Sequence, residues 1–281
     1  MSLAAFPIDL HCHSLASDGS LAPSEVVARA AEKGVTTLAL TDHDTTDGVS
    51  EAAEAARQSG VTLLPGIELS CQWRRRTVHI VGLGFDPADA DWQEALAGQL
   101  ANRWKRARQI AERLTPLRVE SLLEKATEQA GGRVPGRPHF ARVLVHEGVV
   151  KDMNQAFQRH LGNGKRGDVK ACWPELATVV DWIRAAGGKA VVAHPRKYGL
   201  TATKLRELLD DFQAAGGEAM EVLTSGQSDG DLGFLADLCR KRLLLASCGS
   251  DFHHPGRPWC ELGRLPGRPP KDLAMVWDYL G

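Results

Sequence analysis

Several features that would place this chain in a special class of protein are missing from its sequence. No apolar run approaches the ~18 residues that a membrane-spanning helix needs, and there is no internal repeat and no low-complexity tract. The first ten residues lack the basic segment with which a secretory signal begins. We therefore expect a cytoplasmic protein that has no membrane partner.

Cysteine is sparse and scattered. The six cysteines contain no C-x-x-C pair, so we expect neither a zinc ribbon nor a redox dithiol, and in a cytoplasmic protein they should be reduced and buried. The hydrophobic fraction of 43% and the charged fraction of 25% are those of an ordinary globular protein. The 281 residues suffice for one large domain or for a domain with an inserted module.

A net charge of −1 conceals an uneven distribution of charge along the chain. Residues 101–170 contain 15 Lys and Arg against 7 Asp and Glu, a balance of +8. The remainder has 19 basic and 28 acidic residues, a balance of −9. The basic segment is either a solvated helical module or a surface that faces an anionic substrate.

Short and almost continuously apolar runs predict seven strands. They are residues 7–11, 35–41, 61–69, 77–83, 189–194, 218–223 and 243–248. Helical patterns alternate with many of them, at residues 25–33, 51–59, 175–186, 204–215 and 232–241. This alternation predicts an α/β fold with a parallel sheet and outer helices, and seven strands suit a closed barrel related to the (β/α)₈ architecture.

The alternation breaks between about residues 96 and 167. That stretch predicts helices at residues 92–114, 121–130, 139–146 and 153–161, joined by loops rich in Gly and Pro. We expect residues 1–98 and 167–281 to form the barrel. Residues 99–166 would then form an inserted basic helical cap over its mouth.

Histidines and carboxylates recur at or near the ends of the predicted strands. His11 and His13 are two residues apart, so on a strand both imidazoles point the same way and form a ready pair of metal ligands. Later strands bring His43 between two aspartates, Glu68, His79, His194, Asp251 and His253. Each of these, taken singly, could be a hydrogen-bonded structural residue. Because an unpaired polar residue inside an apolar strand is costly, their recurrence over six strands predicts a multinuclear metal site.

The kinds of ligand limit both the set of metals that could bind and the set of reactions that the site could catalyse. Imidazoles and carboxylates without thiolates favour Mn²⁺, Zn²⁺ or Fe²⁺. Two such ions ~3.5–4 Å apart can hold a hydroxide for in-line attack and stabilise the attacking and leaving oxygens. Hydrolysis of phosphate esters is the reaction that most often uses such sites, so the sequence predicts a metal-dependent phosphoric ester hydrolase.

In the segments that contain these residues, the chain resembles the PHP (polymerase and histidinol phosphatase) phosphoesterases. The matching segments are DLHCHSLASDGS (9–20), ALTDHDT (39–45), GIELS (66–70), TVHIVGLG (77–84), AHPR (193–196) and GSDFHHP (249–255). The resemblance implies a distorted, TIM-like seven-stranded β/α barrel that binds two to three divalent metal ions. It also implies that Glu68 and Asp251 are the central catalytic carboxylates.

The resemblance further assigns the metal ligands. One metal would be held by His11, His13 and Asp251, and Glu68 would bridge it to a second metal on His79 and His194. A third would lie on Asp18, His43 and His253. Several members of the family have a histidine where this chain has Asp18, and the added carboxylate favours Mn²⁺, with Zn²⁺ or Fe²⁺ as alternatives.

The insert, together with residues 136–145 and 187–195, resembles a narrower branch that acts on nucleotide phosphates and short oligoribonucleotides. A reaction of this kind converts a 3′,5′-bisphosphonucleotide into a nucleoside 5′-phosphate and phosphate. Arg137, Lys170 and Arg196 are placed in the sequence to meet a phosphate. His139 could donate a hydrogen bond to the substrate. The alternatives are a solvated surface position for the three cations and a position in the core of the cap for His139.

Two other functions stay open. One is a phosphatase for a non-nucleotide phosphomonoester such as histidinol phosphate, against which the basic insert argues. The other is a non-catalytic metal-binding module, against which the nine filled ligand positions argue. The expected partner is a small nucleotide or a short oligonucleotide, without a stable nucleic-acid complex, and the sequence predicts no protein partner.

Overall fold

The computed structural model describes residues 6–170, 172–257 and 259–280. The chain divides into two compact units, of which the first comprises Met1–Glu94 and Pro174–Gly281 and the second comprises Ala95–Trp173. Within the described ranges, no helix combines the length and the hydropathy that crossing a bilayer requires. The six cysteines are unpaired, and five of them are buried while Cys260 is half-buried.

The first unit contains a seven-stranded sheet in which neighbouring strands are also neighbours in sequence. The strands are β1 (Ile8–Asp9), β2 (Thr37–Leu40), β3 (Thr62–Trp73), β4 (Arg76–Leu83), β5 (Lys189–Val192), β6 (Ala219–Thr224) and β7 (Leu245–Gly249). All seven predicted strands are therefore present. The prediction of a distorted, TIM-like β/α barrel is confirmed.

The first and last strands approach each other and nearly close the barrel. The Leu10 N–H donates a hydrogen bond of 3.1 Å to the Cys248 carbonyl, and Cys12 forms an isolated bridge with Phe252. Gly249 is required here, because a Cβ atom at this position would lie 2.2 Å from the Cβ of His11. The glycine thus lets β7 lie directly against the histidine-bearing segment.

The prediction of a parallel sheet is wrong at one strand. β4 runs antiparallel to both β3 and β5. The connection between β3 and β4 is a tight turn at Arg74 and Arg75, whose φ angles are 44° and 65°. Such a turn leaves no room for a crossover helix, so the chain must reverse direction. As a consequence, His79 lies in the first half of β4 and pairs with Ser70 of β3.

Nine α-helices lie in the described part of the chain. They are α1 (Pro23–Glu32), α2 (Val49–Ser59), α3 (Ala90–Leu114), α4 (Leu122–Gln129), α5 (Arg137–His146), α6 (Met153–Ala156), α7 (Leu176–Ala185), α8 (Ala202–Ala214) and α9 (Asp229–Arg242). α1 begins with Pro23, whose missing N–H is not needed at a helix start, and α2 ends at Gly60 with a φ of 71°. Both helices bury apolar side chains, such as Val26 and Ala52, in one core cluster with Leu38 of β2.

The second unit has an apolar core of its own. Ile110 and Leu114 of α3, together with Phe140 and Leu144 of α5, are completely buried in it. The helix predicted at residues 153–161 begins as α6 and continues as the π-helix Phe157–Leu161. The predicted role of this basic segment as a cap over the barrel mouth stays a prediction.

Candidate metal centre

The residues predicted as metal ligands all belong to the first unit, where they follow or lie within the barrel strands. His11, His13 and Asp18 follow β1, His43 follows β2, Glu68 lies in β3, His79 lies in β4, His194 follows β5, and Asp251 and His253 follow β7. In parallel strands these positions share one sheet edge. The antiparallel β4 presents its first half to that edge, so His79 joins the cluster although it is not at a strand end.

Glu68 occupies the middle of the cluster, and its two oxygens contact different sets of rings. Oε1 lies 2.8 Å from Nδ1 of His79 and 2.8 Å from Nε2 of His194. Oε2 lies 3.3 Å from Nε2 of both His11 and His13 and 3.0 Å from Nδ1 of His43. The carboxylate is buried, with 1% of its side chain exposed. This is the position that a bridging ligand would take.

Four groups of these side chains bring their donor atoms within 4.8 Å of one another. The groups are His11–His13–Asp251, His11–Glu68–His194, His43–Glu68–His79, and His13–Asp18–His43–His253. The structure thus brings together all nine predicted residues, including the predicted His11–His13–Asp251 and Asp18–His43–His253 sets. His79 and His194 fall into separate groups that share Glu68. The ligand roles themselves stay a prediction.

Unpaired polar atoms show that the cluster suits bound cations. Among the described residues, five of its buried atoms make no hydrogen bond, although some lie within 3.0–3.4 Å of another ligand atom: Nδ1 of His13, His43 and His194, Oδ1 of Asp18 and Oε2 of Glu68. An unsatisfied buried polar group costs about 1–3 kcal/mol. Divalent ions would accept electron pairs from such atoms and remove that cost. The donor set of imidazoles and carboxylates therefore fits a site for several ions.

The electrostatics of the cluster favour ionised carboxylates. Burial opposes ionisation, yet the surrounding imidazoles hold the pKa of Glu68 well below its usual range. The pKa of Asp251 is likewise held low, against burial, by His11 and Lys197. Burial lowers the pKa of His43 to about 3, so its ring is neutral. The ionised carboxylates and the neutral ring of His43 are thus in the forms that bind metal.

His253 differs from His43 in its protonation. Although burial opposes the charged ring, the Asp18 carboxylate raises the pKa of His253 to about 9. Its Nε2 lies 3.4 Å from Oδ1 of Asp18. A metal ion that bound to this ring would therefore have to displace a proton, which makes its binding dependent on pH.

Three residues of the centre have left-handed backbone conformations that non-glycine residues seldom adopt. The φ angles are 56° at Asp44, 28° at His194 and 54° at Asp251. Each such conformation costs ~1–3 kcal/mol and persists only where its surroundings impose it. Backbone hydrogen bonds do so here, since the Asp251 N–H donates to the His11 carbonyl at 2.8 Å and the Asp44 N–H to the Glu68 carbonyl at 2.9 Å.

Three buried aspartates that were not predicted as ligands anchor the segments that carry the ligands. Asp42 accepts hydrogen bonds from the Ser14 N–H at 2.8 Å, the Ser14 hydroxyl at 2.6 Å and the Ser17 hydroxyl at 2.6 Å. It therefore holds the loop between His13 and Asp18. In the same way, Asp44 accepts from the N–H and hydroxyl of Ser70, and Asp9 accepts from the N–H groups of Ser250 and Gly263.

Glu221 of β6 is an acidic residue outside the predicted set, and it touches two of the predicted ligands. Its Oε1 lies 2.7 Å from Nδ1 of His11, and its Oε2 accepts the backbone N–H of His194 at 2.5 Å. The first contact orients the His11 ring, and the second holds the left-handed backbone of His194. Like Glu68, Glu221 is an ionisable residue inside an otherwise apolar strand, AMEVLT. The sequence could therefore have predicted its place in the centre.

Replacing Glu221 should weaken metal binding. We expect Glu221→Ala to lower metal affinity by about 10–100-fold, because partners that orient a ligating histidine contribute on that scale. Glu221→Gln should lose less, since its carbonyl oxygen can serve one of the two contacts. Titration of metal-free protein with Mn²⁺ measures the change. Glu218→Gln, which weakens a partly buried ion pair of 2.6 Å with Lys189, is the control. Equal affinities in all variants would contradict the role of Glu221.

The four predicted substrate-binding residues have partners within their own units. The Arg196 Nε donates to Asp231 at 2.6 Å, and its guanidinium lies 5.4 Å from the centre of the Phe234 ring. The other three belong to the second unit: an Arg137 Nη1 donates to the Leu161 carbonyl at 3.3 Å, Lys170 pairs with Asp168 at 3.0 Å, and the buried His139 accepts the Gly136 N–H at 3.0 Å. Their contacts with substrate stay a prediction.

Lys197 is a cation of the centre that sequence reasoning missed. Its ammonium group contacts Oδ2 of Asp251, and the nearby carboxylates raise the pKa of Lys197 although burial opposes the charge. Lys197 and Arg196 are adjacent in the sequence but point to different carboxylates. The direction of each side chain depends on the 3₁₀ turn Pro195–Tyr198, which the sequence did not reveal.

Known proteins with related sequences and structures support this description. The PHP domain model matches residues 9–108. The chain is 44% identical to the 3′,5′-nucleoside bisphosphate phosphatase of Chromobacterium violaceum, over 97% of this chain and 96% of that protein. It is 45% identical to the 5′-3′ exoribonuclease Rnm of Escherichia coli, over 91% and 88%. A solved structure from Chromobacterium violaceum, described as an amidohydrolase with bound sulfate and no metal, matches with a TM-score of 0.89 and 42% identity over 98% and 95%.

Proposed function

Because this chain belongs to the PHP family of metal-dependent phosphoesterases, we propose that it hydrolyses phosphate esters of nucleotides. The proposed substrates are a 3′,5′-bisphosphonucleotide, cut to a nucleoside 5′-phosphate and phosphate, and short oligoribonucleotides. The observation that carries the proposal is the convergence of nine imidazole and carboxylate side chains, with Glu68 in the middle of them. Two relatives at 44% and 45% identity, named for activity on a nucleoside bisphosphate and on RNA, support the class of substrate.

The proposed cofactor is a set of two to three divalent ions, with Mn²⁺ favoured. Within the described residues, the four candidate ligand groups contain no cysteine, and nitrogen and oxygen donors suit Mn²⁺ better than a thiolate site does. Asp18 supports the same choice, since it adds a carboxylate to the third position. When bound, such ions activate water and neutralise the charge of the phosphate.

The exposure of the side chains indicates where a phosphate could approach. The side chains of His11, His13 and Glu68 are at most 1% exposed. His79 and His253, by contrast, are 22% and 29% exposed. The buried residues would hold the ions and exclude bulk water, while the half-exposed rings border the side that a substrate reaches.

Release of phosphate and of nucleotides by purified, Mn²⁺-loaded protein tests the proposal. The panel holds a 3′,5′-bisphosphonucleotide, short RNA and histidinol phosphate. We expect turnover of the first two to exceed that of histidinol phosphate. Preference for histidinol phosphate would overturn the nucleotide proposal and leave the phosphoesterase chemistry in place.

The basic side chains are proposed to favour substrates that carry more than one phosphate. The basic balance of residues 101–170 is useful only if the substrate has an anionic group beyond the phosphate that is cut. Arg137→Ala and Arg196→Ala should lower kcat/KM for a bisphosphonucleotide by roughly 1.5–3 kcal/mol, the range for charge-assisted hydrogen bonds. Neither change should affect p-nitrophenyl phosphate. Equal losses on both substrates would show that the arginines serve the fold or the chemistry.

A further inference from the structure

Asp251 divides its two oxygens between the metal centre and Lys197. Its Oδ1 lies 3.2 Å from Nε2 of His13 and 3.6 Å from Nε2 of His11, while its Oδ2 contacts the ammonium group of Lys197. Because different oxygens make these contacts, Asp251 can ligate an ion through Oδ1 and keep the lysine on Oδ2. The lysine therefore does not compete with a cation for the same atom.

The backbone around Lys197 is held between two strands of the barrel. The Lys197 N–H donates to the His194 carbonyl at 2.9 Å. In the same turn, the Tyr198 hydroxyl accepts the His79 N–H at 2.9 Å and donates to the His79 carbonyl at 3.2 Å. These bonds tie the turn to two ligand-bearing segments. The ammonium group is thus placed by the same elements that place the imidazoles, as a preorganised catalytic group must be.

Lys197 is also the most exposed charged group of the cluster. Its side chain is 45% exposed, whereas that of Asp251 is 11% exposed and that of His253 is 29% exposed. It lies near the partly exposed His253 ring, because both contact Asp251, whose Oδ1 is 3.5 Å from Nδ1 of His253. A positive charge that is fixed beside the ligands and open to solvent can meet an anion that enters the centre.

We propose that Lys197 is a catalytic residue whose ammonium group donates a hydrogen bond to a non-bridging oxygen of the phosphate that is cut. Such a charge-assisted bond, fixed in direction by the turn, stabilises the charge that the equatorial oxygens share in the transition state of phosphoryl transfer. The inference needs hydrolysis of phosphate esters only and does not depend on a nucleotide substrate. A lysine that merely balanced the charge of Asp251 would act on the metal site and not on the phosphate.

Three variants separate these two roles. Lys197→Met removes the charge and keeps the length of the side chain, and Lys197→Arg keeps the charge. Lys204→Met is the matched control, because Lys204 is 51% exposed and pairs with Glu207 at 3.0 Å in α8. For each Mn²⁺-loaded protein we would measure metal content, kcat/KM on p-nitrophenyl phosphate and on a 3′,5′-bisphosphonucleotide, and the affinity for inorganic phosphate by calorimetry.

Lys197→Met should lower kcat/KM by about 100-fold on both substrates, at the lower end of the effect of removing one electrostatic donor. Its affinity for inorganic phosphate should fall while its metal content stays unchanged. Lys197→Arg should restore part of both losses, and Lys204→Met should behave as the unmodified protein. Unchanged phosphate affinity, or a loss of metal parallel to the loss of activity, would overturn the proposal. The calorimetric result stands even if the nucleotide proposal fails.

Discussion

Glu68→Gln is expected to release at least one metal ion and to lower turnover by at least ~10²-fold. The two oxygens of Glu68 contact five imidazoles from four segments of the barrel. A glutamine of the same shape has one oxygen and no charge, so it can neither bridge two cations nor offset their repulsion. The NH₂ group of the glutamine would also face imidazole nitrogen atoms that need a hydrogen-bond acceptor or a metal.

Elemental analysis and steady-state kinetics on the same preparation check this expectation. Glu261→Gln is the control, because it weakens a partly buried ion pair of 2.5 Å with Arg29 that lies outside the ligand groups. The control should keep its full metal content and activity. Turnover of Glu68→Gln near that of the unmodified protein would mean that Glu68 is a satisfied core residue, and the proposed bridging role would be wrong.

The grouping of the cluster could be predicted because burying ionisable groups is costly. Glu68 and His79 interrupt apolar strands, and such residues persist there only when they are paired or ligated. The spacing of His11 and His13 places two rings on one side of a strand. These signals are local, and the order of the strands then brings the residues together. The same reasoning, applied to β6, would have identified Glu221.

The reversal of β4 could not be predicted by the same means. The turn at Arg74 and Arg75 contains none of the Gly, Asn or Asp residues that usually favour positive φ angles. Arginine in this conformation carries no sequence signal, so the hairpin looked like one more strand of a parallel sheet. The error did not move His79 out of the cluster, since reversing the strand brings its first half to the ligand-bearing edge.

Side-chain contacts that depend on the conformation of a single turn could not be predicted from the sequence either. Arg196 is predicted to bind a phosphate because it follows His194 closely; its guanidinium pairs with Asp231, and its contact with substrate stays a prediction. The next residue, Lys197, contacts Asp251 instead. In a 3₁₀ turn, consecutive side chains point about 120° apart. An offset of one residue therefore decides which cation faces the centre, and only the structure resolves it.

Removing the metal should abolish activity and lower the stability of the fold. Protein purified without chelator should contain two or three divalent ions per chain, because the candidate groups offer nine donor residues. Chelation would leave the unpaired buried atoms of His13, Asp18, His43, Glu68 and His194 without their cations. A ligand at 100 times its Kd stabilises the native state by about 2.7 kcal/mol, which corresponds to a Tm shift of roughly 5–10 °C for a chain of this size.

Calorimetry on Mn²⁺-loaded and chelated protein, with activity measured in parallel, tests this expectation. Addition of Mn²⁺ to the chelated protein should restore both Tm and turnover, and parallel additions of Zn²⁺ and Fe²⁺ would rank the three ions. The Glu68→Gln variant should show a smaller shift on chelation, since it has already lost part of the metal. Fewer than one ion per chain together with full activity in chelator would contradict metal dependence. The cluster would then be an imidazole–carboxylate network that holds the barrel together without bound ions.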